Sequence, residues 1–300
     1  PMNRPAVTAL VAVATVALVV TACGTSEPAT SAAPATGTRA PSAPPTPDAT
    51  PEPTPTPEPA EPSVQTVALT EPISHVHGLV VDADGSVRAG THDGVRVIDT
   101  DGTVTAVGPP DDLMGMTGLP GTMRLVSSGH PGPGSPLPNP VGLIRSDDGG
   151  ATWESVSLAG QIDFHALALT DDYIVGFDGV TGLVTSTDGG ATWQQGAPMA
   201  AVSLAAVGDE VWATTPDGVM HSTDRGASFD PLDDAPLLWQ VSAGTDGSLW
   251  GVDTDGLAWR STNGQQWTQH TKLPAVEAIA ALDHTTAYAL NGSDLLILTA

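Results

Sequence analysis

Cysteine occurs once, at Cys23, and lysine once, at Lys272, in a chain of 300 residues. A single thiol excludes an internal disulfide framework and a cysteine-built zinc site. Basic side chains number 9 against 34 acids, a formal charge of −25. A chain of that sign repels phosphate backbones and anionic headgroups, which excludes nucleic acid as a partner. There is no Gly-x-Ser-x-Gly elbow and no phosphate loop with its lysine, so the usual serine-hydrolase nucleophile and nucleotide cradle are both missing.

Long apolar runs are scarce as well. The one notable run, Ala6 to Val20, is 15 residues long and follows the basic start Met2-Asn3-Arg4. It is short for a membrane span, which needs about 20 residues, and suits the apolar region of a secretory leader. Val20-Thr21-Ala22-Cys23 closes it and resembles the lipobox of bacterial lipoproteins. That resemblance implies cleavage after Ala22, acylation of Cys23, and a protein exported and held by lipid on the outer face of the cytoplasmic membrane. From Gly24 to Gln65 the chain carries 12 of its 28 prolines. Such a stretch is too poor in apolar side chains to offset the entropy of ordering it. Extended as polyproline II it would reach on the order of 130 Å, a tether. The expected organisation is a leader over 1–22, a linker over 23–63 and one globular domain over 64–300.

That domain repeats itself. Ser146-Asp147-Asp148-Gly149-Gly150-Ala151-Thr152-Trp153 recurs as Ser186 to Trp193, as Ser222 to Phe229, and one residue shorter as Ser261 to Trp267. The final aromatics Trp153, Trp193, Phe229 and Trp267 lie 40, 36 and 38 residues apart. Gly supplies positive φ angles in such a turn, while Ser with Asp148, Asp188, Asp224 or Asn263 can bond the backbone groups it leaves open. The pattern resembles the Asp-box (BNR) repeat, which implies a structural turn between the two outer strands of a β-propeller blade. The intervals read as four short strands each, with first strands beginning near residues 74, 113, 162, 201, 238 and 276. The last repeat has only three strands, and Val64 to Leu69 supplies a fourth that closes the ring. The fold expected is all-β, a six-bladed propeller, in a monomer.

In a propeller, one face is built from the loops entering each innermost strand and leaving each second strand. His75-Val76-His77, Met114-Gly115-Met116 and Asp163-Phe164-His165 open the first three innermost strands, and His92 and His130 end the second strands of blades one and two. Residues two apart on a strand share a face. His75, His77, His92, His130 and His165, with Met114, Met116 and Asp163, are therefore the candidate metal ligands. Imidazole with thioether favours copper, and imidazole with carboxylate admits zinc. The loop from His130 to Pro140, with five prolines in eleven residues, reads as a stiff wall over the mouth. His221, His270 and His284 read as structural or solvated.

His75-Val76-His77-Gly78, Thr91-His92-Asp93-Gly94, Ser128-Gly129-His130-Pro131 and Asp163-Phe164-His165 also resemble a family of exported bacterial propellers labelled glycosyl hydrolase-like or sialidase-like. Sialidases need three substrate-binding arginines and a tyrosine nucleophile. None of Arg88, Arg96, Arg124, Arg145, Arg225 and Arg260 opens an innermost strand, and Tyr173 and Tyr288 lie away from the mouth. Other glycosidases need two carboxylates, for which Glu71, Asp111, Asp112, Asp163, Asp178 and Asp253 are placed, with Asp163 and Asp178 the named candidates. Three expectations follow: a mouth binding a metal or small extracellular ligand, a glycoside hydrolase acting on extracellular glycans, or a protein-binding scaffold.

Overall fold

The computed structural model describes residues 61–300. The expected leader, the acylated Cys23 and nearly all of the linker lie outside the described residues. Among those residues there is no α-helix, and 24 strands form six four-stranded antiparallel sheets.

Blade one is β2 (Gly78–Val81), β3 (Val87–Thr91), β4 (Gly94–Ile98) and β5 (Val104–Val107); blade two is β6 (Asp112–Gly118), β7 (Leu125–His130), β8 (Leu143–Ser146) and β9 (Glu154–Ser157). Blade three is β10 (Ala166–Leu169), β11 (Ile174–Phe177), β12 (Leu183–Ser186) and β13 (Gln194–Gln195); blade four is β14 (Ser203–Val207), β15 (Glu210–Thr215), β16 (Gly218–Ser222) and β17 (Asp230–Pro231). Blade five is β18 (Leu238–Ala243), β19 (Leu249–Asp253), β20 (Leu257–Ser261) and β21 (Thr268–Lys272). Blade six joins β22 (Ala278–Asp283), β23 (Thr286–Leu290) and β24 (Asp294–Thr299) to β1 (Ser63–Ala68), which precedes blade one. The β1–β24 register runs antiparallel from Ser63↔Thr299 to Ala68↔Asp294. The expected six-bladed propeller, closed by its N-terminal strand, is therefore what the chain forms. The innermost strands begin at Gly78, Asp112, Ala166, Ser203, Leu238 and Ala278, so those of blades one and three start about four residues later than the expected positions near 74 and 162.

The inner strands of each blade are buried on both faces, so their residues alternate between two interfaces. Leu79 and Val81 of β2 pack towards blade six, whereas Val80 between them packs towards blade two. Six apolar clusters result, one for each pair of neighbouring blades. At about 25 cal/mol per Å² of apolar surface, burial at these interfaces contributes most of the free energy that holds the ring together.

The repeated turns tighten the same interfaces. In the first, the Ser146 hydroxyl donates to Asp148 Oδ1 (2.7 Å) and accepts from the Gly150 N–H (2.8 Å). Asp148 also accepts from the Thr152 N–H (2.9 Å) and hydroxyl (2.6 Å). Asp188 and Asp224 repeat this pattern with Ser186 and Thr192, and with Ser222 and Ser228. Each turn also takes a hydrogen bond from the preceding blade. Arg88 donates to the Gly149 carbonyl (2.9 Å), Ser157 to Gly190 (2.5 Å), Thr185 to Arg225 (2.9 Å) and the Trp212 indole to Gly264 (3.1 Å). Gly264, at φ 69°, lies flat on the Trp212 ring, where any Cβ would collide with the indole.

These turns also make the stability of the fold depend on acid pH. The Thr152 hydroxyl and N–H, with Ser146, hold the Asp148 carboxyl at about 2, and Thr192 and Ser186 hold Asp188 at about 2. An unfolded Asp titrates near 3.9, so the folded state binds fewer protons between these values. The stability these groups contribute is complete above about pH 4 and is lost as pH falls towards 2. In an acid titration followed by circular dichroism, the doubly substituted Asp148→Asn, Asp188→Asn chain should lose stability less steeply across that window than the parent. Equal slopes would refute the assignment.

Candidate metal centre at the channel mouth

The six innermost strands surround a central channel of about 880 Å³, with His77 and His165 among the residues that line it. His77 extends β2 by one residue, its N–H bonded to the Gly90 carbonyl (2.9 Å). His92 sits in the β3–β4 turn, which Thr91 closes by donating to the Gly94 carbonyl (2.8 Å) and accepting from the Asp93 N–H (3.1 Å). Asp112 opens β6 and pairs across to His130 on β7. The entry to β2, the β3–β4 turn and the entry to β6 thus arrive at one end of the ring.

The His92 ring stacks on His77 at 4.8 Å and 17°, and leans on His75 at 4.7 Å and 31°. One donor atom each of His77, His92 and Asp112 lie within 4.8 Å of one another, with His92 Nε2 4.0 Å from Asp112 Oδ1. His77 Nε2 and Asp112 Oδ1 are both buried and without a hydrogen-bond partner among the described residues. Burial, and the neighbouring His92, lower the His77 pKa against the pull of Asp112. The neutral ring, which is the ligating form, is thereby favoured. His75 is exposed and stands in the left-handed region at φ 58°, a strain of about 1–3 kcal/mol that clusters at functional sites. The next residue is anchored to blade six by the Val76 N–H donating to Glu277 Oε2 (3.0 Å).

A second group lies on blades two and three. Asp163 Oδ2 is 3.4 Å from both His130 Nε2 and His165 Nε2. Asn139 orients His130, its Oδ1 2.7 Å from Nδ1. The proline-rich loop that carries Asn139 is pinned by the Gly132 N–H on Asp111 Oδ1 (2.7 Å) and the Val141 N–H on the Gly129 carbonyl (2.9 Å), which gives it the fixed shape expected of a wall.

The five histidines therefore share one end of the ring, but as two groups rather than one. Met116 does not join them. A register shift between Asp112 and Gly115 breaks the alternation that placed Met114 and Met116 with the mouth residues. Met116 is 5% exposed and packs with Val80, Val95, Leu113 and Leu125, its sulfur against Gly90. Met114 is half-buried on the same strand. Sequence reasoning placed Asp112 only among the mouth acids. Its position two residues before Met114 on the same strand was the available signal for a ligand.

The hydrolytic candidates fare differently. Asp178 is consumed by its own turn: Oδ1 accepts from the N–H groups of Val180 (2.9 Å), Thr181 (2.7 Å) and Gly182 (3.0 Å), and Oδ2 from the Thr181 hydroxyl. Burial would raise its pKa, but the Thr181 hydroxyl and these N–H groups outweigh it and hold the carboxyl low. A catalytic acid needs a raised pKa, so of the two roles open to this candidate carboxylate that of the acid is ruled out. Asp253 likewise bonds the N–H groups of Asp255 (2.9 Å) and Leu257 (2.9 Å) and the Trp259 indole (2.8 Å). Asp163 faces two imidazoles, as above, and Glu71 is exposed. The arginines are engaged elsewhere: Arg88 pairs with Asp82, Arg124 with Asp171, Arg145 with Glu154 and Arg225 with Asp209. Arg96 and Arg260 bond the carbonyls of Asp93 (2.8 Å) and His284 (3.2 Å). His221 stacks on Trp212, His270 meets Trp250 edge-on, and His284 lies 2.8 Å from Asp246, all structural partners.

No protein-family model and no curated protein matches the chain. Solved structures do. Virginiamycin B lyase from Staphylococcus aureus is 16% identical over 80% of this chain and 100% of its own, with a TM-score of 0.54. A protein of unknown function from Bacteroides thetaiotaomicron is 11% identical over 80% and 76%, with a TM-score of 0.57. PorZ, a surface component of the type-IX secretion system of Porphyromonas gingivalis, is 18% identical over 76% and 32%, with a TM-score of 0.53. At such identities the likeness is one of architecture, and this chain is similar to β-propellers of several functions.

Proposed function

We propose that this protein is an exported, lipid-tethered propeller whose channel mouth binds a divalent transition metal through His77, His92 and Asp112, with the His75 ring packed against His92 beside them. The observation that carries the reading is the pair of buried, partnerless atoms, His77 Nε2 and Asp112 Oδ1, within one ligand group. Each such atom costs about 1–3 kcal/mol if left unsatisfied, and one cation would satisfy both. Two imidazoles and a carboxylate suit Cu²⁺ and Zn²⁺, and the Irving–Williams order places copper above zinc. The thioether chemistry that would favour Cu(I) is weakened, because Met116 is committed to the core. The role is binding and buffering of the ion at the cell envelope.

Elemental analysis of the full chain, purified without an affinity tag, tests this. Copper or zinc near or above one equivalent is expected; a chain that carries neither and takes up neither on dialysis overturns it. The tether has its own test. Cys23→Ala should shift the protein from the membrane fraction to the soluble exported fraction, and an unchanged distribution would refute acylation there.

A further inference from the structure

We propose that a cavity on blade five binds an organic cation, a quaternary ammonium head, between two tryptophans and the carboxylates beside them. The cavity measures about 380 Å³ and shares no residue with the His77–His92–Asp112 group. Asp234 and Leu237, the latter exposed though apolar, come from the segment entering β18. Asp253 and Asp255 come from the end of β19 and the turn that follows it, the place in blade five that corresponds to His92 in blade one. Trp259 of β20 and Trp267, the final aromatic of the shortened repeat, complete the walls. The ladders of blade five slip in register beside the cavity, between Leu238 and Gln240 and between Leu257 and Trp259, and such irregularities re-aim side chains.

The chemistry of the lining selects the ligand. The Trp259 indole N–H is spent on Asp253 Oδ2 (2.8 Å), and Trp267 is half-buried with its Nε1 wholly buried. Both indoles therefore offer ring carbon to the cavity rather than a hydrogen-bond donor. Asp253 is 8% exposed and bonds only neutral donors, two N–H groups and the indole. Asp234 and Asp255 are exposed. Among the described residues none of these three carboxylates is within ion-pair distance of a basic side chain, the exposed Lys272 across from Leu257 included.

Carboxylates without a cation, set beside indole carbon, match a ligand that is positive and apolar at once. Tryptophan is the best aromatic partner for such a cation. A bare metal ion does not fit, because among the described residues these carboxylates do not converge as a ligand group. An anionic ligand would be repelled by the same acids.

The test is calorimetric titration of the tag-free full chain with choline, with its uncharged carbon isostere dimethylbutanol, with phosphocholine and with glucose. Choline should bind with a dissociation constant on the order of 1 mM or tighter. Dimethylbutanol, the same shape without the charge, should bind about tenfold or more weakly. Weaker binding of phosphocholine assigns the site to a free solute, and equal binding assigns the same ammonium to a lipid headgroup. The Asp234→Asn, Asp255→Asn chain, changed only at exposed side chains, should melt with the parent and bind choline about fivefold or more weakly. Trp267→Phe, which keeps a ring in place, should weaken choline more than dimethylbutanol. No binding of choline, equal binding of dimethylbutanol or glucose, or an Asn variant that binds choline like the parent overturns the proposal. None of these variants touches the metal group, whose own test stands apart.

Discussion

The His77→Ala, His92→Ala chain is expected to lose binding at the first site by at least about 100-fold, since groups that merely orient a ligand already cost 10–100-fold when removed. Stability supplies an independent readout. An ion present at about 100 times its dissociation constant stabilises the folded state by about 2.7 kcal/mol. For a domain of this size that is a rise of roughly 5–10 °C in Tm, which the double variant should not show. The metal-free comparison is the sharper one. His92 is exposed and His77 Nε2 is buried without a partner, so removing both rings discards an uncompensated polar atom. The metal-free variant should melt no lower than the metal-free parent, whereas histidines that merely braced the mouth would make it melt lower. Metal binding by the variant that is undiminished from the parent's, or a large loss of stability without metal, would sink the assignment.

Arg88→Ala should strongly destabilise the ring. Arg88 and Asp82 side chains are 8% and 9% exposed, with Nη2 2.7 Å from Oδ2 and Nε 3.2 Å from Oδ1. Nη1 reaches across to the Gly149 carbonyl at 2.9 Å, joining blade one to the turn of blade two. Removing one partner of a buried pair leaves an uncompensated charge, at about 3–5 kcal/mol. The Ser86 hydroxyl remains on Asp82 at 3.3 Å, one donor for a carboxylate that has lost two. Thermal unfolding should show a Tm lower by about 10 °C or more. Replacing both members by apolar residues, Arg88→Met with Asp82→Leu, should recover part of the loss. A single variant that melts with the parent would refute the role.

The ring was legible in the chain because the information is local and repeated. Ser, Asp and Gly at fixed offsets specify each turn through bonds that span four residues or fewer, as Asp148 to Thr152 shows. Alternating apolar residues specify the strands between turns. The missing strand of the last blade pointed to Val64–Leu69, and the β1–β24 ladder is the result. The histidines were legible as a set for the same reason, since equivalent places in successive repeats arrive at the same end of the ring.

What stayed hidden is long-range or depends on a single residue of register. A shift on β6 between Asp112 and Gly115 sends Met116 inward and leaves Asp112 with the histidines, and no periodicity reveals where a strand will slip. The bond from Arg88 to Gly149 links residues 61 apart, and Asp178 is disqualified as an acid only by its own turn's N–H groups. The architecture and the end of the ring where chemistry gathers are thus written in short-range patterns that each segment satisfies alone. Which donors meet, and that they meet as two groups, emerges only when neighbouring blades dock, because that packing sets side-chain distances to within an ångström.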